Sequence, residues 1–451
     1  MNSTGPADDG PREGAVVASG PRWVRWSNWA GNQWCLASVL WPTSESEVAR
    51  IVERAAAAGR RVRAVGSGHS FSGVALCDDV LLRLDRLDRV LGVDRDAGTV
   101  TVQPGITLRA LSEHLWTRGL ALANLGDVDL QTVAGATATG THGSGWSLGC
   151  LSSEVVSFRL VDGSGRVRVG DPTGDPDLWS AGRVSLGALG VLTAITLRVV
   201  PAFHLRAVRE PRRVDEVLEA WPELVRDLDH VEFLWVPNTG WALTRSSTRT
   251  DEPVRPRRRR DRFHQDEVVD NWWFGAVQRV GSLRPSALVP LARRLPSAGR
   301  VEFVDRSHRV LTAPRRVRFV EMEYAVPFEA TEAAVRAVQQ VVAGLSTPVV
   351  FPVEVRCVAP DDIPLSPAHG RATTFVAVHV HRDHPHEEYF TRVEAELRAL
   401  DGRPHWGKLH GRTAEDLEPA YPGWSSFRAV RDRLDPDRRF TNPALRRVLG
   451  P

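Results

Sequence analysis

Cysteine is scarce in this chain, long apolar runs are absent and little net charge is left over, and each shortage removes a class of protein. The four cysteines, Cys35, Cys77, Cys150 and Cys357, lie far apart and form no Cys-x-x-Cys pair. Neither a zinc framework nor a disulfide scaffold is indicated, and a reducing compartment fits best. No run of about eighteen apolar residues exists to span a bilayer. The stretch Met1 to Gly20 is small and polar and lacks the basic start and apolar core of a signal peptide. Residues 1–28 are expected to form a disordered leader, and cytoplasmic is the simplest location. Fifty-eight Lys and Arg against 55 Asp and Glu leave a net charge of +3, too little to argue for nucleic acid as the main partner. The basic signal is local, at Arg255-Pro256-Arg257-Arg258-Arg259-Arg260, where Asp251, Glu252 and Asp261 partly offset it. A solvated insertion loop is the plain reading of that stretch, and contact with an anionic partner is the other. At 451 residues, 42% hydrophobic and 25% charged, the chain has the make-up of a globular protein of two or three domains.

Glycine is concentrated in two runs. The first, Ala64-Val65-Gly66-Ser67-Gly68-His69-Ser70, holds a histidine in the middle of a turn. Gly66 and Gly68 allow φ > 0 and bring bare N–H groups toward a phosphate, while His69 supplies a nucleophilic nitrogen beside them. Such a turn is weak evidence alone, because a loop histidine is usually solvated or capping. The second run, Val133 to Gly145, is rich in small residues and hydroxyls and suits the other side of a diphosphate. Together they make His69 the best candidate for the attachment point of a flavin.

Ser44-Glu45-Ser46-Glu47 reads as a capping box, with Val48, Ile51, Val52 and Ala55 on one helical face and Gly59 as the stop. The strand 61–65 follows, so His69 lies at a strand's C-terminal end, where α/β units place ligands. Runs 90–93 and 99–102 predict a hairpin, 108–115 a helix and 191–200 a strand closed by Pro201, the expected domain boundary. Beyond Phe203 the spacing predicts strands at 231–236, 241–244, 317–325, 349–358 and 373–381, with helices near 214–228, 329–343 and 386–400. That pattern is an antiparallel sheet with helices on one face, its other face free to roof a ligand.

On that sheet Glu354 and Arg356 are two residues apart, so both side chains leave one face and can share a pocket. A cross-strand ion pair on a solvated face is the equal alternative. His379 and His381 repeat the spacing; no third ligand stands out, so no metal is expected. A hydrogen bond from His381 to a polyhydroxylated substrate is the preferred reading, with a surface histidine close behind. In His405-Trp406-Gly407-Lys408, Lys408 is placed to steady negative charge on a reduced flavin, although a lone lysine is more often on the surface.

These residues carry a resemblance. Gly66-Ser67-Gly68-His69-Ser70, Ala123-Asn124-Leu125-Gly126-Asp127, Gly140-Thr141-His142-Gly143-Ser144-Gly145, Glu354-Val355-Arg356 and His405-Trp406-Gly407-Lys408, in that order, resemble the FAD-linked aldonolactone oxidases and related alditol oxidases of the vanillyl-alcohol oxidase superfamily. The resemblance implies an α+β fold, with a two-lobed PCMH-type FAD-binding domain over 29–202 and an α+β cap with a large antiparallel sheet over 203–451. It implies that FAD is bonded to His69 and touched by Ala64, Val65, Gly66, Ser67, Gly68, Ser70, Gly126, Asp127, Thr132, Gly135, Thr139, Gly140, Thr141, His142, Val191 and His405. Glu354, Arg356 and Lys408 would be catalytic, and with Asp127 and His381 would bind a small sugar-like substrate.

The implied reaction moves a hydride from a hydroxyl-bearing carbon of L-gulono- or D-arabinono-1,4-lactone to flavin N5, with O2 as the electron acceptor. Glycine at the position of Gly126 is usual in lactone oxidases of the family, whereas dehydrogenases carry alanine there, so Gly126 favours oxidase over dehydrogenase. Two departures leave the substrate open: Asp127 stands where many relatives have serine or alanine, which suggests a polyol or a cationic sugar, and His381 stands where alditol oxidases have threonine. Oxidation of an alditol or another sugar hydroxyl is the alternative. A flavin binder without catalysis is disfavoured by the charged groups at the site. A nicotinamide dehydrogenase is disfavoured because the first turn lacks Gly-x-Gly-x-x-Gly.

Overall fold

In a computed structural model the described residues are 23–257, 299–313 and 317–451. Residues 1–22 of the expected leader and Arg258 to Arg260 of the basic stretch lie outside them. The leader reading fails at its end. Residues Trp23–Ser27 form strand β1, antiparallel to β2 (Trp34–Leu40), because Trp26 packs into an apolar cluster with Cys35, Ala37 and Val65.

Helix α1 (Glu45–Ala57) buries Val48, Val52 and Ala55 as its spacing requires. Its expected capping box is half built. Ser44 accepts from the Glu47 N–H, but the Glu47 carboxylate accepts from the backbone and hydroxyl of Thr43, one residue earlier than the reciprocal bond demands. Strands β3 (Val62–Val65) and β4 (Val80–Arg83) complete a sheet of order β1-β2-β4-β3 with parallel β2/β4 and β3/β4 pairs. A second lobe follows: β5 (Val90–Asp94), β6 (Thr99–Val102), α2 (Leu108–Trp116), β7 (Leu120–Ala121), α3 (Val133–Ala138), β8 (Val155–Val161), β9 (Val167–Gly170), α4 (Pro176–Gly182), β10 (Val191–Arg198) and β11 (Val200–Pro201). Its antiparallel sheet has the order β5-β6-β10-β8-β9.

The second half is dominated by strands β12 (His204–Arg213), β13 (His230–Trp235), β14 (Trp241–Thr250), β15 (Val301–Arg306), β16 (Phe319–Pro327), β17 (Val353–Val358), β18 (Thr373–His381) and β19 (Arg403–Pro404). They form one sheet of order β15-β12-β14-β13-β17-β18-β16-β19, antiparallel throughout. Strands β12 and β15 were not expected. The helix expected over 214–228 is two, Val214–Glu219 and Trp221–Asp227, since Pro222 has no N–H to continue the ladder.

Alternation gives this sheet two unlike faces. Phe233, Val353, Val355, Val376, Val378, Val320 and Met322 point one way and form an apolar cluster with the helices Thr331–Ala343 and Glu387–Ala399. Glu232, Glu354, Arg356, His379, Glu321 and Glu323 point the other way, over the loops of the first half. Gly145 is hydrogen-bonded to Cys357 across that contact, at 2.9 Å. The chain then returns: Phe427, Val430, Leu434, Leu445 and Val448 share a core with Val100, Leu108 and Leu111. A boundary at residue 203 therefore separates the sheets but not the cores. Among the described residues no helix is long and apolar enough to cross a membrane.

Candidate active site

The turn after β3 is shaped by contact between the two glycine runs. A Cβ on Gly66 would lie 2.2 Å from Thr132 Oγ1, the hydroxyl that caps α3 by accepting from the Gly135 N–H. Only glycine allows that approach. Ser67 Oγ donates to Leu130 O at 2.5 Å, and Gly68 takes φ = +72° over the ring of Trp26. The N–H groups of Ser67, Gly68, His69 and Ser70 donate to no protein oxygen among the described residues, nor do those of His142, Gly143 and Ser144 in the second run. Two such rows of N–H donors fit the phosphates of a dinucleotide. His69 stacks on Trp29, ring centres 5.7 Å apart, and burial, helped by the charge of Lys408, pushes its imidazole down to about 4. At neutral pH it is uncharged.

The turn 405–408 is docked on the His69 loop. Gly407 O accepts from Phe71 N at 2.7 Å, and Trp406 O accepts from the Ser72 hydroxyl at 2.9 Å. Trp406 is fully buried and donates to Leu365 O. Lys408 is thereby turned inward, its Nζ 5.3 Å from the centre of the Phe71 ring, 2.5 Å from Glu321 and 3.8 Å from Glu323. Burial opposes its charge, but the two carboxylates outweigh it and hold the ammonium above its usual range. Glu321 is held at about 2: burial works against its charge, but Lys408 and His379 prevail. Glu323 is held well below the usual carboxylate range, since burial is again outweighed, here by His142 and Lys408.

Glu354 and Arg356 do share one face, and both are buried, which removes the solvated ion pair as an explanation. Arg356 is caged. Its Nη2 lies 2.6 Å from Asp127 Oδ1 and donates to Glu354, and its Nε donates to Glu232 at 2.7 Å. Burial alone would lower the guanidinium, but Asp127, Glu232 and Glu354 raise it well above its normal value. Arg245 lies 3.2 Å from Glu232 on the far side.

Several expectations change. Asp127 is engaged with Arg356, so it does not present a bare charge to a cationic sugar. His381 ends its strand 3.8 Å from Asp383, whereas His379 joins the row, with Nε2 3.5 Å from Glu321 and Nδ1 donating to Pro352 O. The Val191 side chain is committed to the apolar cluster with Val48 and Val161, and its backbone is paired with Val161 in the sheet. His142 is buried, stacked on Phe375 and 3.2 Å from Glu323. His405 builds its turn by accepting from the Gly407 N–H, and burial pushes it down to about 4, with Lys408 and His142 adding to the effect. Gly140, with φ = +70°, and Thr139 and Thr141 continue the second run. A Cβ on Gly126 would lie only 3.0 Å from His142 O, so this position is tight.

Glu232, Glu321 and Glu323 were missed. The rule that found Glu354 and Arg356 would have found two of them, since Phe319-Val320-Glu321-Met322-Glu323 alternates in the same way. Two groups among the described residues have the spacing of metal ligands: His142, Glu323 and His405, and Asp127, Glu232 and Glu354. The second already closes on the Arg356 guanidinium. In the first, the Gly407 N–H occupies the lone pair on His405 Nδ1, which puts the proton on Nε2 and leaves that ring no ligand atom.

Comparison with known proteins agrees with this geometry. The D-arabinono-1,4-lactone oxidase family profile matches residues 195–448, and an FAD binding domain profile matches residues 36–170. L-gulono-1,4-lactone dehydrogenase of Mycobacterium tuberculosis is 45% identical over 94% of this chain and 99% of its own. L-gulonolactone oxidase of Bos taurus is 31% identical, covering 96% and 100%, and alditol oxidase of a Streptomyces species 34%, covering 94% and 98%. Cholesterol oxidase of B. sterolicum superimposes with a TM-score of 0.77 at 19% identity, over 94% of this chain and 96% of that one, a likeness of fold alone.

Proposed function

The chain belongs to the D-arabinono-1,4-lactone oxidase family, and from that premise we propose that it oxidises a sugar lactone of the L-gulono- or D-arabinono-1,4-lactone type, using FAD bonded to His69 and O2 as acceptor. One observation carries the reading: the Lys408 turn is hydrogen-bonded to the His69 loop while its ammonium sits among the carboxylates beside Glu354 and Arg356. Residues 64–70 and 132–144 would hold FAD, which when bound supplies a hydride acceptor. The remaining work falls to side chains. A substrate hydroxyl hydrogen-bonded to Glu354 has an acceptor for the proton it loses as hydride leaves. Lys408 and Arg356 are fixed cations in a dry site, where they stabilise developing negative charge better than water does.

The relatives divide between the names oxidase and dehydrogenase, so the O2 reading rests on the glycine at position 126, where an alanine methyl would press on His142 O and Thr141 Cγ2 at 3.0 Å. The 45% identical dehydrogenase favours a second reading in which another acceptor takes the electrons. Four free, buried cysteines support a reducing compartment, the cytoplasm. The test is anaerobic mixing of the yellow protein with L-gulono-1,4-lactone, D-arabinono-1,4-lactone or xylitol, followed by air. Bleaching by a lactone and recovery in air are expected; bleaching by xylitol alone would replace the lactone by an alditol. Acid precipitation should leave colour on the parent protein and release it from His69→Ala.

A further inference from the structure

Carboxylates crowd the site. Among the described residues five carboxylates, Asp127, Glu232, Glu354, Glu321 and Glu323, lie with Arg245, Arg356 and Lys408 and with the imidazoles of His142 and His379, and each of these basic groups is already paired with at least one of them. Four of the carboxylates come from the roofing sheet. Asp127 alone rises from the first half of the chain, and its Oδ1 lies 2.6 Å from Arg356 Nη2.

We propose that Asp127 is a specificity determinant that acts through Arg356, completing a carboxylate cage that makes the site accept an uncharged sugar lactone and refuse the open-chain aldonate formed when that lactone hydrolyses. The idea rests on the lactone reading above. A lactone ring presents hydroxyls, which carboxylates accept as donors without adding charge. An aldonate brings a carboxylate that can enter only by pairing with a cation, and here the candidate guanidinium already holds three acidic partners. Discrimination then comes from the repulsive element and not from a better fit to the lactone. Removing Asp127 frees one donor of Arg356 at the edge shared by the two halves and takes one negative charge away. A positioning residue that merely braced the site would weaken all ligands when removed; a mask must strengthen one of them.

The experiment uses the flavin-loaded full chain with sodium L-gulonate as probe. Gulonate binding is read from the perturbation of the flavin spectrum and from inhibition of flavin reduction by L-gulono-1,4-lactone, in the parent, Asp127→Ser, Asp127→Asn and Asp127→Glu. Weak binding is expected in the parent, at least tenfold tighter binding in the Ser and Asn variants, and a return to the parent value in Asp127→Glu. Gulonate binding no tighter in Ser and Asn than in the parent would overturn the proposal, as would a parent that holds gulonate as tightly as lactone. If both variants fail to fold, Glu232→Gln opens the same cage from the sheet side and must show the same direction of change. Because the spectral titration needs no turnover, a parent that no lactone reduces would overturn the functional reading while the titration still supports or overturns the mask.

Discussion

At the scale of single residues, Gly126 is where one methyl group decides most. A Cβ there would sit 3.0 Å from His142 O and from Thr141 Cγ2, so its neighbours would have to yield by a few tenths of an ångström. Gly126→Ala is expected to slow reoxidation by air about tenfold relative to reduction by lactone, equivalent to ~1.4 kcal/mol of barrier. Stopped-flow traces of the two half-reactions measure that ratio, and an unchanged ratio would detach O2 access from this position. Lys408→Met removes the cation and leaves Glu321 and Glu323 side by side and buried. Reduction of the flavin is expected to slow by a hundredfold or more, roughly 3 kcal/mol, with little gain from raising lactone concentration. A change confined to KM would mean that Lys408 only binds substrate.

Among elements, the turn 405–408 matters more than its length suggests, because one indole holds it in place. Trp406 is fully buried, is within stacking distance of Tyr421 and offers its carbonyl to Ser72. Trp406→Ala is expected to cost about 3–5 kcal/mol, the usual effect of emptying an aromatic site, and to loosen Lys408 at the same time. Denaturant midpoint and flavin content measure the two effects separately; loss of stability with full flavin content and normal turnover would show that the turn is not what positions Lys408. Strand β16 serves core and site at once: Val320, Met322 and Tyr324 enter the apolar cluster while Glu321 and Glu323 enter the site.

For the whole molecule, burial of titratable groups sets the pH range. Glu321 titrates near 2 in the folded chain against 4.5 when unfolded, so its contribution is complete above about 4.5 and is lost as pH falls toward 2. His405 is depressed from 6.5 to about 4, so the unfolded chain binds the proton first, and stability drains away as pH falls from 6.5 to about 4. Both act in the same direction. Thermal melting of the protein is expected to fall steadily below pH 6.5, and His405→Asn should flatten the upper part of that decline; a melting temperature level from pH 7 to 4 would refute the assignment.

Local pattern in the sequence was enough for the periodicity of α1, the face shared by Glu354 and Arg356, and the need for glycine at Gly68, because these depend on spacing along the chain and on the conformations glycine alone permits; Gly66, expected to need φ > 0 as well, is required instead by its contact with Thr132. Tertiary structure decided the rest. That Trp23–Ser27 is a strand, that Lys408 turns inward onto Glu321 and that Asp127 closes on Arg356 depend on partners far away in the chain, and a charge or an indole carries no mark of which distant group it will meet. Glu232 became part of the site only because β13 lies beside β17, a pairing set by the packing of the whole sheet and not by any neighbour in sequence.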